Sequence, residues 1–187
     1  MNGTTHAIFG IGALAGTALA LDIEPALYAY PVAVVAAWLP DVDNPRSTLG
    51  NGLSRRKNPI ANAVTRPISW MLRTASFTLV RVVGHRTLTH SLPGVAIFLL
   101  PAWLLLGSFP DLILALAAGC ISHIVADALN TPGVPLLWPL RWRFRLLPGG
   151  TRSGGIAEFF VAAAIFILTA WAIYEVYPAI GRLLARS

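Results

Sequence analysis

From Ile156 to Tyr177 the chain reads IAEFFVAAAIFILTAWAIYEVY, an apolar run whose only charges, Glu158 and Glu175, stand near its two ends. A helix of that length covers the roughly 30 Å hydrocarbon core of a bilayer. Lipid offers no partner for a backbone amide, so such a run must bond within itself as a helix. Four further apolar segments precede it, at 5–21, 26–39, 92–109 and 112–130. Only 12% of the residues are charged and 56% are hydrophobic, against about 25% charged in soluble domains. The expectation is an all-α fold, a polytopic membrane bundle of about five apolar helices. Residues 1–187 form a single integral membrane domain with a basic loop at about 44–84. The start, MNGTTH, lacks the basic stretch of a secretory signal peptide. The one cysteine, Cys120, lies inside an apolar segment and reads as a small packing residue.

The connections sort the charge. DIEP joins the first two apolar segments and little more than PD joins the third to the fourth; both links are short and acidic. The long link between segments two and three carries Arg46, Arg55, Arg56, Lys57, Arg66, Arg73, Arg81 and Arg86, and the link before segment five carries Arg141, Arg143, Arg145 and Arg152. The positive-inside rule puts both long links in the cytoplasm, with the N-terminus inside and the C-terminus outside. Arg182 and Arg186 run against that last assignment. Topology thus accounts for most of the net charge of +6, so no nucleic-acid partner is expected; the partner is membrane lipid. Within the long link, residues 65–83 suit an interfacial amphipathic helix. Arg66, Arg73 and Arg81 share one face, and Ile68, Met71, Leu72, Ala75, Leu79 and Val82 the other. Trp70 and Phe77 blur that division, and an ordinary packed helix is the alternative. Gly12, Gly16 and Ala20 form a stripe of small residues suited to helix packing in lipid.

The rare polar residues fall at one membrane depth. His6 opens segment one; Asp41 and Asp43 close segment two; His85 and His90 precede segment three; His123 and Asp127 lie in the last turns of segment four; Glu158 opens segment five. On the assigned topology each is at the cytoplasmic end of its helix. Ionisable groups at membrane depth are costly and usually face one another or a wet cavity. His123 and Asp127 stand four apart on one helix face. His85 and His90, five apart, would splay on a regular helix, so His85 belongs to the loop or a cap. Singly, each motif has a structural reading: a buried hydrogen-bonded pair, a helix-ending turn, an interfacial histidine. Jointly they read as a mixed imidazole and carboxylate site for a divalent metal, zinc first, then manganese or iron. The candidate ligands His6, Asp41, Asp43, His85, His90, His123 and Asp127 exceed the usual four of a zinc site, which implies two ions or one ion with supporting partners.

The blocks GTTHAIFG, LPDVDNPRSTLG, GHRTLTHSL and SHIVADALNTPGVPLLWPL, spread over residues 3 to 140, resemble those of the LexA-binding, inner-membrane-associated metal-dependent hydrolase family of bacteria and archaea. The resemblance implies a prokaryotic inner-membrane hydrolase. Its polar pattern falls on His6, Asp41, Asp43, Ser47, His85, Arg86, Thr89, His90, Ser91, His123, Asp127, Thr131 and Gly133. A fainter similarity connects such sequences with zinc phospholipase C, a helical enzyme that uses a His/Asp metal cluster on phosphoesters.

The expected activity is therefore metal-dependent hydrolysis at the cytoplasmic face, with a metal-activated water as nucleophile. Asp43 or Glu158 would take its proton. Arg86, with Arg46, would neutralise charge growing on an oxyanion. Ser47, Thr89, Ser91 and Thr131 would orient ligands or substrate. Guanidinium groups beside the metal blocks favour a phosphoester, and headgroup depth favours a lipid-derived ester. The alternatives are a metal or proton transporter using the same cluster, which needs polar residues through to the outer face, and a membrane anchor or regulator without catalysis.

Overall fold

The computed structural model describes residues 1–43, 87–140 and 142–178. They form five α-helices: α1 (Gly3–Leu21), α2 (Ala29–Trp38), α3 (Leu92–Leu106), α4 (Pro110–Ala128) and α5 (Ile156–Val176). Short 3-10 turns at Pro40–Asp43 and Leu88–His90 follow α2 and precede α3. The described residues contain no strand, only two isolated bridges. The helix expected over 65–83 lies outside the described residues.

Local chemistry sets the helix ends. Asn2 caps α1, its side chain accepting from the Thr5 amide, and Asp22 closes it in the left-handed conformation, φ 53°. Ser91 caps α3, and Pro110 sits in the first turn of α4, where a missing N–H costs nothing. Three helices, α1, α4 and α5, are long and apolar enough to cross a membrane. By contrast α2 has 10 residues and α3 has 15. At 1.5 Å per residue, α2 is about half the depth of a hydrocarbon core.

Close backbone approach holds the centre together. A Cβ on Gly10 would lie 2.8 Å from the Ala33 carbonyl oxygen, and one on Gly119 would lie 2.4 Å from the same oxygen. Those two glycines let α1 and α4 both press against α2 at Ala33, in a helix that also supplies Ala29, Ala36 and Ala37. Dispersion at such contacts replaces the hydrophobic drive that lipid removes. The expected stripe of Gly12, Gly16 and Ala20 does not form this contact. Gly12 meets Thr169 of α5, Gly16 has nothing within 4 Å, and Ala20 is exposed. Cys120 packs in the core, its thiol 3.6 Å from the Ala36 carbonyl.

Between α4 and α5 the chain crosses one end of the bundle as an irregular, well-tied segment. Val134 and Phe144 exchange both backbone hydrogen bonds, at 3.0 and 2.8 Å. The Leu146 amide donates to the Ala128 carbonyl at 2.9 Å and the Thr151 amide to Leu129 at 2.7 Å, satisfying carbonyls at the end of α4. Val134 tucks into the core beside Ala36, Val95, Cys120 and Ile124.

Candidate metal centre

The first turn of α1, the turn after α2, the turn before α3 and the last turns of α4 converge at one end of the bundle. They bring together His6, Asp41, His90, His123 and Asp127. His6, His90, His123 and Asp127 are buried, and Asp41 is 21% exposed. Burying three imidazoles and two carboxylates in one place is expensive unless they share a partner.

The ring orientations are specified from outside the cluster. His123 Nδ1 lies 2.7 Å from the carbonyl oxygen of Ala37. That carbonyl, in the last turn of α2, accepts but cannot donate, so Nδ1 carries the proton. The Nε2 lone pair of His123 is left pointing into the cluster. His90 Nδ1 is 2.9 Å from the Thr89 hydroxyl, and its Nε2 stands 3.2 Å from His123 Nε2. The turn that presents His90 closes tightly over α3: a Cβ at Gly94 would be 1.9 Å from the Leu88 carbonyl oxygen, so only glycine fits.

These separations match a tetrahedral ion. Ligand bonds of about 2.0–2.1 Å put the ligand atoms of such a site roughly 3.3 Å apart. His90 Nε2 lies 3.5 Å from Asp41 Oδ1 and 3.6 Å from Asp127 Oδ2. His123 Nε2 lies 3.9 and 3.8 Å from the same two oxygens. The ligand atoms of Asp41, His90 and His123 form one candidate metal triad and those of His6, His123 and Asp127 a second that overlaps it at His123. His6 stacks on His123, ring centroids 4.0 Å apart and planes 12° from parallel. Its Nε2 is 3.4 Å from Asp127 Oδ1 without the alignment of a hydrogen bond, and both ring nitrogens are buried without a hydrogen-bond partner. Leaving such a group unsatisfied costs about 1–3 kcal/mol, so His6 fits a ligand better than a packed ring. His123 offers a single free nitrogen, so the two overlapping triads cannot both use it.

Electrostatics and hydrogen bonds reinforce the carboxylates. Burial pushes the Asp41 carboxyl upward, but the His90 hydrogen bond and the electrostatic pull of the His123, His90 and His6 imidazoles outweigh it and hold the group at about 2. Asp127 Oδ1 accepts from the Met1 amino group at 2.8 Å and from Asn130 Nδ2 at 3.1 Å. Asn130 is in turn fixed by the Thr151 hydroxyl at 3.0 Å. Sequence reasoning missed this Asn130–Thr151 brace, whose partners are 21 apart in the chain.

The other expected site residues divide. Thr89 supports His90. The Ser91 hydroxyl is used at the head of α3, donating to Leu88 and accepting from Gly94. Thr131 donates to the Thr151 carbonyl at 3.1 Å, on the exposed segment. Glu158 stands next to the cluster, one residue along from the Met1–Asp127 contact, and braces α1 to α5. Its oxygens accept from the Asn2 amide at 2.7 Å, the Thr5 hydroxyl at 2.6 Å and the Gly154 amide at 2.6 Å. With both oxygens engaged, it is a poor candidate for a free base. Arg46, Ser47, His85, Arg86 and the Asp43 side chain lie outside the described residues.

The sequence profile of the YdjM inner membrane proteins matches residues 1–181. The chain belongs to the YdjM inner membrane protein family. Inner membrane protein YdjM of Escherichia coli (strain K12) is 36% identical over 181 residues, covering 91% of this chain and 82% of that protein, and its Shigella flexneri counterpart gives the same figures. Uncharacterized protein YvsG of Bacillus subtilis (strain 168) is 30% identical over 180 residues, covering 95% of this chain and 97% of that one. No solved structure matches the chain. Membership of the YdjM family and three candidate spans make this a membrane protein.

Proposed function

We propose that this YdjM-family protein is a metal-dependent hydrolase, multi-pass in the inner membrane, acting at the cytoplasmic face on a phosphoester or lipid-derived ester. One observation carries the reading: a buried set of three histidines and two aspartates whose separations suit a tetrahedral ion. Asp41, His90, His123 and Asp127 Oδ2 would hold one divalent ion, zinc by donor type, and His6 with Asp127 Oδ1 would serve a second or support the first. Bound there, the ion would lower the pKa of a bound water toward neutrality.

The protein's own groups supply the rest. The Ala37 carbonyl and Thr89 hydroxyl hold two imidazoles in the orientation that exposes Nε2. Asp43, two residues from Asp41 in the same turn, takes the proton of the attacking water. Arg86 and Arg46 neutralise charge on the ester oxygens. The basic links support a cytoplasmic orientation, and the location at the helix ends supports a substrate that lies at headgroup depth. Transport through the same cluster has less support: Leu14, Ala29, Ala33, Ala115 and Ala118 form an apolar cluster among α1, α2 and α4.

Elemental analysis of the detergent-purified protein tests the reading, together with phosphate release from a short-chain phosphatidic acid. Wild type is expected to carry near-stoichiometric zinc and turn the lipid over. His90→Ala and Asp127→Ala, with helix content unchanged by circular dichroism, should retain less than about a tenth of both. Equal metal in wild type and variants would refute the metal site; full metal without turnover of any ester would refute the hydrolase.

A further inference from the structure

The segment between α4 and α5 exposes apolar side chains that no membrane span accounts for. Leu137, Leu140, Trp142, Phe144, Leu146 and Leu147 are all exposed, Trp142 at 78% and Leu140 at 60%. They belong to no helix. Exposed apolar surface of this density marks an interaction site. The same stretch carries Arg143, Arg145 and Arg152, and the sequence from Leu129 to Ala157 contains no acidic residue. Among the described residues none of these arginines pairs with a carboxylate; Arg143 only approaches the Pro132 carbonyl, at 3.4 Å.

The sequence interleaves the two characters around an isolated antiparallel bridge between Val134 and Phe144. Trp142, Phe144 and Leu146 alternate with Arg143 and Arg145. The platform is rigid: it is bonded to the end of α4 through Ala128 and Leu129, and to the head of α3 through the Leu92 amide and the Leu136 carbonyl at 3.0 Å. Both of its ends emerge at the cluster end of spanning helices, where the membrane surface lies.

We propose that residues 136–140 and 142–152 form an anionic-lipid platform: Leu140, Trp142 and Phe144 enter the acyl boundary of the leaflet while Arg143, Arg145 and Arg152 bind lipid phosphates. Tryptophan and arginine at headgroup depth are what such a boundary favours. The occupant is lipid rather than a protein because the platform is continuous with lipid-facing spans and carries charge of one sign. The inference stands without the hydrolase. It also reaches the cluster, since Thr151, beside Arg152, holds Asn130 against Asp127.

Two measurements on the full chain in nanodiscs test it. An environment-sensitive NBD label at Leu140→Cys, in a Cys120→Ala background, should be quenched by brominated phosphatidylcholine and shielded from iodide. Spin-labelled phosphatidylglycerol should associate in preference to phosphatidylcholine, more weakly at high salt. Each arginine near an anionic surface contributes about fivefold (about 1 kcal/mol), so the triple variant Arg143→Gln, Arg145→Gln, Arg152→Gln should lose most of that preference. The corresponding triple lysine variant should keep it. A label open to iodide overturns the proposal. So does a label hidden from both quenchers, which would mean a protein partner, and so does an unchanged lipid preference in the glutamine variant.

Discussion

Gly119→Ala is the substitution that best separates the helix packing from the ligands. Gly119 is four residues before His123 on α4, and its added Cβ would lie 2.4 Å from the Ala33 carbonyl oxygen and 2.5 Å from the Ala36 Cβ. Ordinary contact begins at 3.4 Å, so α2 and α4 must part by about 1 Å, an overpacking cost of about 1–3 kcal/mol. The same displacement acts on Ala37, one residue from Ala36. Its carbonyl oxygen, now 2.7 Å from His123 Nδ1, would move to roughly 3.7 Å, beyond the reach of an N–H···O bond. His123 keeps its place in the ligand set but loses the bond that fixes its tautomer. Losses of that kind weaken metal sites by about 10–100-fold. Competition against a chromophoric chelator in detergent reads the zinc affinity, and a thermal melt reads the packing. Gly16→Ala, with nothing within 4 Å, is the matched control and should change neither. A Gly119→Ala protein that binds zinc as tightly as wild type would falsify the claim that the α2–α4 contact sets the His123 orientation.

Three further outcomes follow from the geometry. Thr89→Val removes the hydroxyl beside His90 Nδ1 and should weaken zinc by about tenfold at unchanged helix content, read by the same competition. Gly94→Ala drives a Cβ to 1.9 Å from the Leu88 carbonyl oxygen; the turn bearing His90 must shift, so bound metal measured by elemental analysis should fall while α3 persists by circular dichroism. In the metal-free protein, the Asp41 carboxyl sits at about 2 against an ordinary 3.8. Its stabilising contribution is therefore full above about pH 4 and is lost as pH falls toward 2. Melting temperatures at stepped pH should show Asp41→Asn with a flatter dependence across that window than wild type.

The five helices were legible because lipid leaves a chain few options: each apolar run became a helix within a few residues of its expected bounds, and charges marked the ends. The gathering of His6, Asp41, His90, His123 and Asp127 followed from one rule, that ionisable groups at one membrane depth seek one another. What the sequence concealed was pairwise. Small residues occur in every segment, so spacing alone favoured Gly12, Gly16 and Ala20, whereas the contact belongs to Gly10 and Gly119, which face α2. Ser91 carries the S-x-x-G spacing of a helix cap, which competed with its place in the histidine motif. Glu158 had the right depth for a base, but two of the donors that engage it, the Asn2 amide and the Thr5 hydroxyl, are set by the approach of α1 to α5, which no linear pattern displays. The Asn130–Thr151 brace is hidden for the same reason.

The Ala37 carbonyl has a consequence for anyone moving this centre elsewhere. It is main chain, so no substitution can add or delete it. Grafting His6, Asp41, His90, His123 and Asp127 onto another bundle would copy five side chains and leave behind the acceptor that turns the shared imidazole. A working transplant must carry a short helix that stops at the right level, with alanines narrow enough to let it in. The minimal portable unit is thus a helix ending rather than a set of residues.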